Sequence, residues 1–406
     1  MTKKSSSRIL AVIFATLLLD TIGFGIVIPI IPGLFTDVNS PGFLLGAYSV
    51  SQQLLLAGLI TALYGLMQFI AAPILGELSD VYGRKRLLTI GVGVLALSQM
   101  LFGLGIEIGS LYLLFFARSL AGLAAANISI AQAAIADITE PKDRAKNFGL
   151  IGAAFGLGFI IGPLIAGWTT SYFGNPAIAF WIASLLGLIN MVFISLFLTE
   201  TNQQRSIKQK FTFLKGIKNI KIALQDVDAR PLYVTSFLYL SGFAFFTSFV
   251  GILLINHYGF NEAGVGTFFA FVGICIVITQ GGIVRILAPR YTEQQIIKVT
   301  MICVAITIAL YPFMPSTAWL YILVPFLSVP QGLTMANLPA LISKSVSPAK
   351  QGAALGINGS MMALAQGVVP LTAGLIAASV GIQYTFLTGA MCVFSAWLVM
   401  FVFMRR

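Results

Sequence analysis

The sequence predicts an all-α membrane protein, with twelve transmembrane helices arranged as two pseudo-symmetric six-helix bundles. Three observations carry that prediction. Of 406 residues, 58% are hydrophobic and only 9% charged, which leaves a soluble domain far too little polar surface to face water. Uncharged apolar stretches of about 20 residues, each able to cross a hydrocarbon core of about 30 Å, recur from end to end. One long hydrophilic segment divides six of them from the other six.

The stretches lie near 8 to 32, 54 to 76, 87 to 106, 111 to 137, 147 to 170, 176 to 198, 231 to 256, 264 to 287, 296 to 314, 318 to 343, 352 to 379 and 383 to 404. An even number puts both termini on one side. The first stretch has the basic start of a signal peptide, but its apolar run continues past Asp20 to Pro32 with no small-residue cleavage site. A retained helix is therefore expected. Residues 1–198 form the first bundle, 199–230 a linker and 231–406 the second bundle. Within the linker Phe213, Ile217, Ile220 and Leu224 recur at helical spacing, with Lys215, Lys218 and Lys221 on other faces. That pattern suits either a helix lying on an anionic membrane surface or a solvated loop.

A net charge of +11 would suit nucleic acid, but the placement of the bases argues against it. Lys3, Lys4 and Arg8 precede or open the first helix; Arg84, Lys85 and Arg86 lie between helices two and three; Lys142, Arg144 and Lys146 lie between four and five. Arg205, Lys208, Lys210, Lys215, Lys218, Lys221 and Arg230 fill the middle loop, and Arg285, Arg290, Lys298, Lys344, Lys350, Arg405 and Arg406 complete the set. All of these fall on one side of the membrane, and the loops of the other side contain no Lys or Arg. The positive-inside rule then predicts cytoplasmic termini and a cytoplasmic linker in a multi-pass protein of the cell membrane, the cytoplasmic membrane if the source is bacterial. Only Arg118, inside helix four, is left over. Cys275, Cys303 and Cys392 have neither metal nor redox spacing and read as packing residues.

Sliding the chain against itself by 207 residues pairs Pro141 with Pro348, Gly149 with Gly356, Gly152 with Gly359, Pro163 with Pro370, Gly167 with Gly374 and Gly174 with Gly381. Helices five and eleven are thus copies. Parallel six-helix repeats related by an axis along the membrane normal are a transporter architecture, with the substrate site at midplane.

The turn after helix two reads Gly76-Glu77-Leu78-Ser79-Asp80-Val81-Tyr82-Gly83-Arg84-Lys85-Arg86. Its glycines permit tight backbone geometry while its acids and bases can pair locally. The string resembles the signature loop of the major facilitator superfamily. Helix one, Leu19-Asp20-Thr21-Ile22-Gly23-Phe24-Gly25-Ile26-Val27-Ile28-Pro29, is similar to the first helix of tetracycline-type and multidrug proton antiporters. Arg118-Ser119-Leu120-Ala121-Gly122 resembles the family's arginine motif on helix four. Gly152, Gly156, Gly158, Gly162, Pro163 and Gly167 resemble the motif on helix five that separates exporters from importers. The resemblance implies the major facilitator fold, export coupled to protons, and a charge cluster of Asp80, Arg84 and Asp137, with Gly76, Gly83 and Lys85, that latches one conformational state. At the place matching Asp137 stands Lys344, and the second loop, Arg285 to Arg290, lacks the Gly and Asp pattern. The latch is expected on one half only.

Asp20 lies 12 residues from Arg8, about 18 Å at 1.5 Å per residue, and is the one carboxylate near midplane. Arg118 is the one buried base. Intramembrane charges are costly and line a wet path or pair with one another. Taking Asp20 out of water favours its neutral form and a nearby base favours the ionised one, so both are candidate proton-coupling residues. Counting from Asp137 sets Arg118 nearer the outer face than Asp20 by roughly 10 Å, which argues against direct contact.

Gln68, Asn127, Gln132, Gln280, Gln331, Asn337, Asn358 and Gln366 are polar groups in the apolar spans, candidates either to line a cavity or to bond helix to helix. Phe237, Tyr239, Phe243 and Phe246 could form an aromatic wall for a lipophilic substrate or face lipid. His257 reads as an interface residue at the end of helix seven. Tetracycline-type pumps use further membrane acids in their second half, which helices seven to twelve here lack within the apolar spans. A broadly lipophilic small-molecule substrate fits better. One His, no Cys or His cluster and no Gly-Lys dipeptide argue against an enzyme, a metal site, a cofactor or ATP drive. The expected partners are a small molecule, protons and the lipid bilayer, with the chain acting as a monomer; the competing readings are a metabolite carrier, a channel and a non-transporting receptor of the same fold.

Overall fold

The computed structural model describes residues 3–125, 127–139, 144–202, 215–226, 229–347 and 351–403. Pro141 and Pro348 of the repeat, Phe213 of the linker, and Lys142, Arg205, Lys208, Lys210, Lys350, Arg405 and Arg406 of the basic set lie outside them. Among the described residues twelve segments are long and apolar enough to cross a membrane. They are α1 (Lys3–Thr36), α2 (Val50–Tyr82), α3 (Arg84–Glu107), α4 with α5 (Leu111–Ala124, Asn127–Ile138), α6 (Arg144–Phe173) and α7 (Ala177–Phe197). A short α8 (Lys215–Gln225) precedes α9 (Arg230–Tyr258) and α10 (Glu262–Ile278), which runs through a π-turn into α11 (Val284–Leu287). Then come α12 (Glu293–Leu310), α13 (Thr317–Lys344), α14 (Gln351–Ser379) and α15 (Ile382–Phe403).

Local chemistry explains where these helices stop. Gly83 separates α2 from α3 with a φ of 97° that L side chains rarely adopt. The end of α9 is closed by Gly259 in the left-handed region, its N–H on the Ile255 and Leu254 carbonyls. A reciprocal capping box, Thr292 with Gln295, opens α12. The fourth span, expected over 111–137, runs Leu111–Ile138 and is described on either side of residue 126. At Ala125 the backbone N–H turns to Gly122 O in the tighter i to i+3 pattern, and α5 begins at Asn127.

The chain falls into two compact units, Met1–Ile30 with Met67–Lys215 and Glu262–Ala270, and Ile31–Leu66 with Gly216–Asn261 and Phe271–Arg406. In the first, Ile9, Ile13 and Leu17 of α1 recur every four residues and meet Leu88 and Val92 of α3, Ile130 and Ala134 of α5 and Ala154 of α6. Because lipid tails are as apolar as leucine, helices in a bilayer associate through close packing rather than through escape from water. Small residues supply that closeness. A Cβ at Gly162 would lie 2.5 Å from Ile22 O and one at Gly25 2.9 Å from Pro163, so α1 and α6 touch along their backbones. Gly167 brings α6 equally near Glu262 and Ala263 of α10.

The second unit repeats the device at the same register. Gly374, 207 residues after Gly167, lets α14 approach Gly58 and Leu54 of α2. Inside this unit Phe246 makes edge contacts with Tyr311 at 4.9 Å and Phe386 at 6.0 Å. The α8 helix forms as the linker's periodicity suggested, with Ala223 buried and Asn219 Nδ2 donating to Ser360 Oγ of α14 at 3.0 Å.

Candidate functional site

Two clusters in the first unit contain the charged residues singled out from the sequence. The first lies where α2 turns into α3. Arg84, almost fully buried, pairs with Asp80 and donates from Nε to Asp137 Oδ2 of α5 at 3.2 Å, while its Nη1 reaches Ser79 Oγ. One guanidinium thus joins two carboxylates and a hydroxyl, the fork geometry for which arginine is suited and lysine is not.

Residues that sequence reasoning missed complete this cluster. The Glu200 carboxylate, just beyond α7, accepts from the backbone N–H of Arg84 at 2.9 Å and of Lys85 at 3.3 Å, and so caps the start of α3. It also accepts from the N–H groups of Thr201 and Asn202. Thr201 Oγ1 donates to Asp137 Oδ2 at 3.2 Å, and Asn202 Nδ2 to Asp80 O at 2.9 Å. Three consecutive residues of the presumed linker therefore belong to the cluster. Lys85 enters it through its backbone. Of the motif glycines, Gly83 is needed twice, for its φ and because a Cβ would stand 2.2 Å from Glu200 Oε2. Gly76 is different: it sits inside α2, and a Cβ there would meet nothing within 4 Å, so the tight geometry expected of both glycines applies to one.

The second unit has a charge pair of its own. Lys344, at the end of α13, pairs with Glu293, which opens α12. It is a single ion pair with a mostly exposed lysine, without the two carboxylates that Arg84 joins in the first unit. At the 207-residue offset Asp137 of the first half corresponds to Lys344 of the second, whereas Arg84 corresponds to Tyr291, and the acid that meets Lys344 lies two residues further on.

The second cluster surrounds Asp20, halfway along α1. Its carboxylate Oδ2 accepts from Asn127 Nδ2, the first residue of α5, at 3.0 Å. Asn127 is buried and needs a glycine opposite it, because a Cβ at Gly91 of α3 would lie 2.1 Å from its Oδ1. Gln68 Nε2 of α2 reaches the Ala125 carbonyl at 3.5 Å. Arg118, 5% exposed, is on α4 nine residues before Asn127. On α1, Thr21 Oγ1 donates to Ala154 O of α6 at 3.0 Å, and a Cβ at Gly158 would strike that same threonine.

The remaining candidates disperse through the second unit. Tyr239 is fully buried and bonds Gln331, with Thr334 beside the same hydroxyl and Thr334 in turn 2.7 Å from Thr300. Asn358 Oδ1 accepts from Ser236 Oγ at 2.5 Å, and Asn337 Nδ2 donates to Leu333 O in its own helix at 2.7 Å. Phe237 and Gln366 are half-buried. Among the described residues no group of three or more His, Cys, Asp or Glu is arranged to hold a metal ion.

Comparison with known proteins matches residues 13–349 to the family model described as Major Facilitator Superfamily. The chain is 28% identical over 367 residues to tetracycline resistance protein, class C, of Escherichia coli, covering 88% of this chain and 86% of that protein. It is 26% identical over 390 residues to multidrug resistance protein 2 of Bacillus subtilis, covering 93% and 91%. Among solved structures, the human organic anion transporter MFSD10 (TETRAN) superposes with a TM-score of 0.77 at 24% identity, over 98% of this chain and 100% of that one.

Proposed function

Starting from the fact that the chain belongs to the Major Facilitator Superfamily, a family of membrane transporters, we propose that it exports small lipophilic compounds in exchange for protons, by alternating access of two six-helix halves. The observation that carries this reading is the Asp20–Asn127 hydrogen bond inside the first unit. Asp20 stands 13 residues from one end of its span and 16 from the other, whereas every other acid in a span is within five residues of an end. An acid set that deep in its span, half-buried and bonded to a neutral amide, is suited to exist in both charge states during a cycle. Arg118, the one Lys or Arg in the described spans that stands more than five residues from an end, serves as its electrostatic counterpart.

Other features fit the same reading. The cluster of Asp80, Arg84 and Asp137, with Glu200 capping α3, acts as the conformational latch. Gly152, Gly156, Gly162, Pro163 and Gly167 form the antiporter-type face of α6. Gln68, Asn127, Phe237, Tyr239, Asn337, Asn358 and Gln366 contribute polar and aromatic groups for the substrate. Both termini face the cytoplasm, as the distribution of Lys and Arg requires, and the chain works as a monomer in the cell membrane. Similarity to a tetracycline and to a multidrug resistance protein supports efflux as the direction.

The test is proton release into the lumen or medium from proteoliposomes, first with the wild-type protein against a panel of lipophilic drugs. Asp20→Asn fixes the neutral form, so uphill efflux driven by a pH gradient should vanish while substrate binding persists. Unaltered proton release from Asp20→Asn would leave uniport, or another coupling ion, as the better reading.

A further inference from the structure

Behind Asp20 lies a cavity of about 10 Å³, lined by Leu19, Asp20 and Gly23 of α1, Val92, Leu95, Ala96 and Gln99 of α3, and Ala183 and Gly187 of α7. That is room for about one water molecule, and a water is held in such a space only if it finds polar partners. Two of the lining side chains, the Asp20 carboxylate and the Gln99 amide, supply them. Gln99 is buried, and its Nε2 donates to Gly23 O at 3.3 Å, a position open only because Gly23 lacks a Cβ that would lie 2.7 Å from that nitrogen. The other walls are apolar. Asp20 is thus placed between two different neighbours: Asn127, which holds Oδ2, and a one-water space shared with Gln99. Both belong wholly to the first unit.

Taking these together, we infer that Asp20 exchanges its proton through a single water in the α1–α3–α7 cavity, with Gln99 positioning that water and Asn127 positioning the carboxylate. The inference rests on the reading of Asp20 as proton carrier and adds the route and the two positioning residues. The step balances simply. A hydronium in the cavity gives its proton to Oδ1, one O–H bond breaking on the water as one forms on the carboxyl, and neutral water remains. Asn127 keeps donating to Oδ2 throughout, so loading needs no rearrangement of α5. Release is the reverse. The second half offers a parallel for Asn127: 207 residues later stands Thr334, beside the hydroxyl of Tyr239 of α9.

The charged groups on the elements packed around the cavity are few. Besides Asp20 they are Lys3, Lys4 and Arg8 of α1, Arg84, Lys85, Arg86 and Glu107 at the two ends of α3, and Arg118 and Asp137 on the fourth span; α7 has none. None of these lines the cavity, so Asp20 is its one titratable group.

The proposal can be tested without knowing the substrate, by infrared titration of the purified protein in lipid vesicles, following the protonated-carboxyl stretch that Asp20→Asn abolishes. In Asn127→Leu the ionised form loses a hydrogen bond, and the midpoint of that band should rise by about one pH unit. Gln99→Met keeps the length of the side chain without its amide and should also raise the midpoint. Ala183→Val fills the cavity and should slow hydrogen–deuterium exchange of the band at least tenfold in protein that still melts cooperatively. Wild-type midpoints in both Asn127→Leu and Gln99→Met, or wild-type exchange in folded Ala183→Val, would overturn the route while leaving Asp20 as carrier. The absence of any band sensitive to Asp20→Asn between pH 4 and 10 (roughly the range of perturbed carboxyls) would instead sink the carrier assignment itself.

Discussion

Replacing Gly83 by alanine tests whether the α2–α3 turn and the Glu200 cap are one device. Two costs arise from the geometry. The backbone at φ 97° and ψ 147° lies in a region left almost entirely to glycine, and an alanine held there costs about 2 kcal/mol. The new Cβ would also stand 2.2 Å from Glu200 Oε2 and 2.9 Å from its carboxyl carbon, which forces the carboxylate off the Arg84 and Lys85 amides. Loss of a helix cap adds about 1 kcal/mol. Gly83→Ala should therefore destabilise the protein by about 3 kcal/mol. In a Glu200→Ala background no carboxylate is left to displace, so the same substitution should cost about 2 kcal/mol, a coupling of about 1 kcal/mol. Unfolding in mixed micelles of increasing denaturing detergent, run on the wild type, both single variants and the double variant, measures that coupling. Equal costs in the two backgrounds would refute the idea that Gly83 makes room for Glu200.

Two further outcomes follow from the packing. Gly76→Ala should be neutral or stabilise by about 0.5 kcal/mol, since the added methyl meets nothing within 4 Å and alanine is the better helix former, whereas Gly162→Ala should lower the yield of folded protein by pressing on Ile22 O; the amount of monodisperse protein after extraction distinguishes them. Lys344→Gln should change the unfolding midpoint by less than about 1 kcal/mol, because its side chain is 65% exposed and such pairs are weak. Arg84→Gln should cost about 2 kcal/mol, less than for a fully buried pair because Asp80 is 39% exposed; equal effects of the two variants would contradict the difference in burial.

Hydropathy was enough to find all twelve spans, because in a bilayer each must be long and apolar whatever it packs against. The same holds for Asp80, Arg84 and Asp137, whose types and spacing resembled a known loop and which the structure gathers on one guanidinium. Glu200, Thr201 and Asn202 were not legible, since they follow α7 as three polar residues with no periodicity, and their contacts depend on where α7 ends relative to α3. Asn127 stood among eight polar residues in the spans, and nothing in its spacing told which of them would reach Asp20. For Glu293 a signal did exist. A lysine in place of Asp137 in the second repeat asks for an acid where the first repeat has Arg84, and Glu293 is two residues from that position.

The hydrogen-bonded pair on α1 and the fourth span has a neutral counterpart in Tyr239 with Thr334 and Gln331. This makes the two repeats electrically unlike. Asp20 and Arg118, the charges set more than five residues inside the described spans, are both in the first repeat, so under the proposed proton exchange membrane voltage acts there, about 2.3 kcal/mol for each elementary charge carried across each 100 mV. The second repeat lies in the same field and feels almost none of it. Under the proposed exchange of a lipophilic compound for protons, substitutions among its neutral polar groups would change which molecules are moved without altering the current that accompanies them, so selectivity and electrogenicity could evolve on separate halves of a duplicated chain.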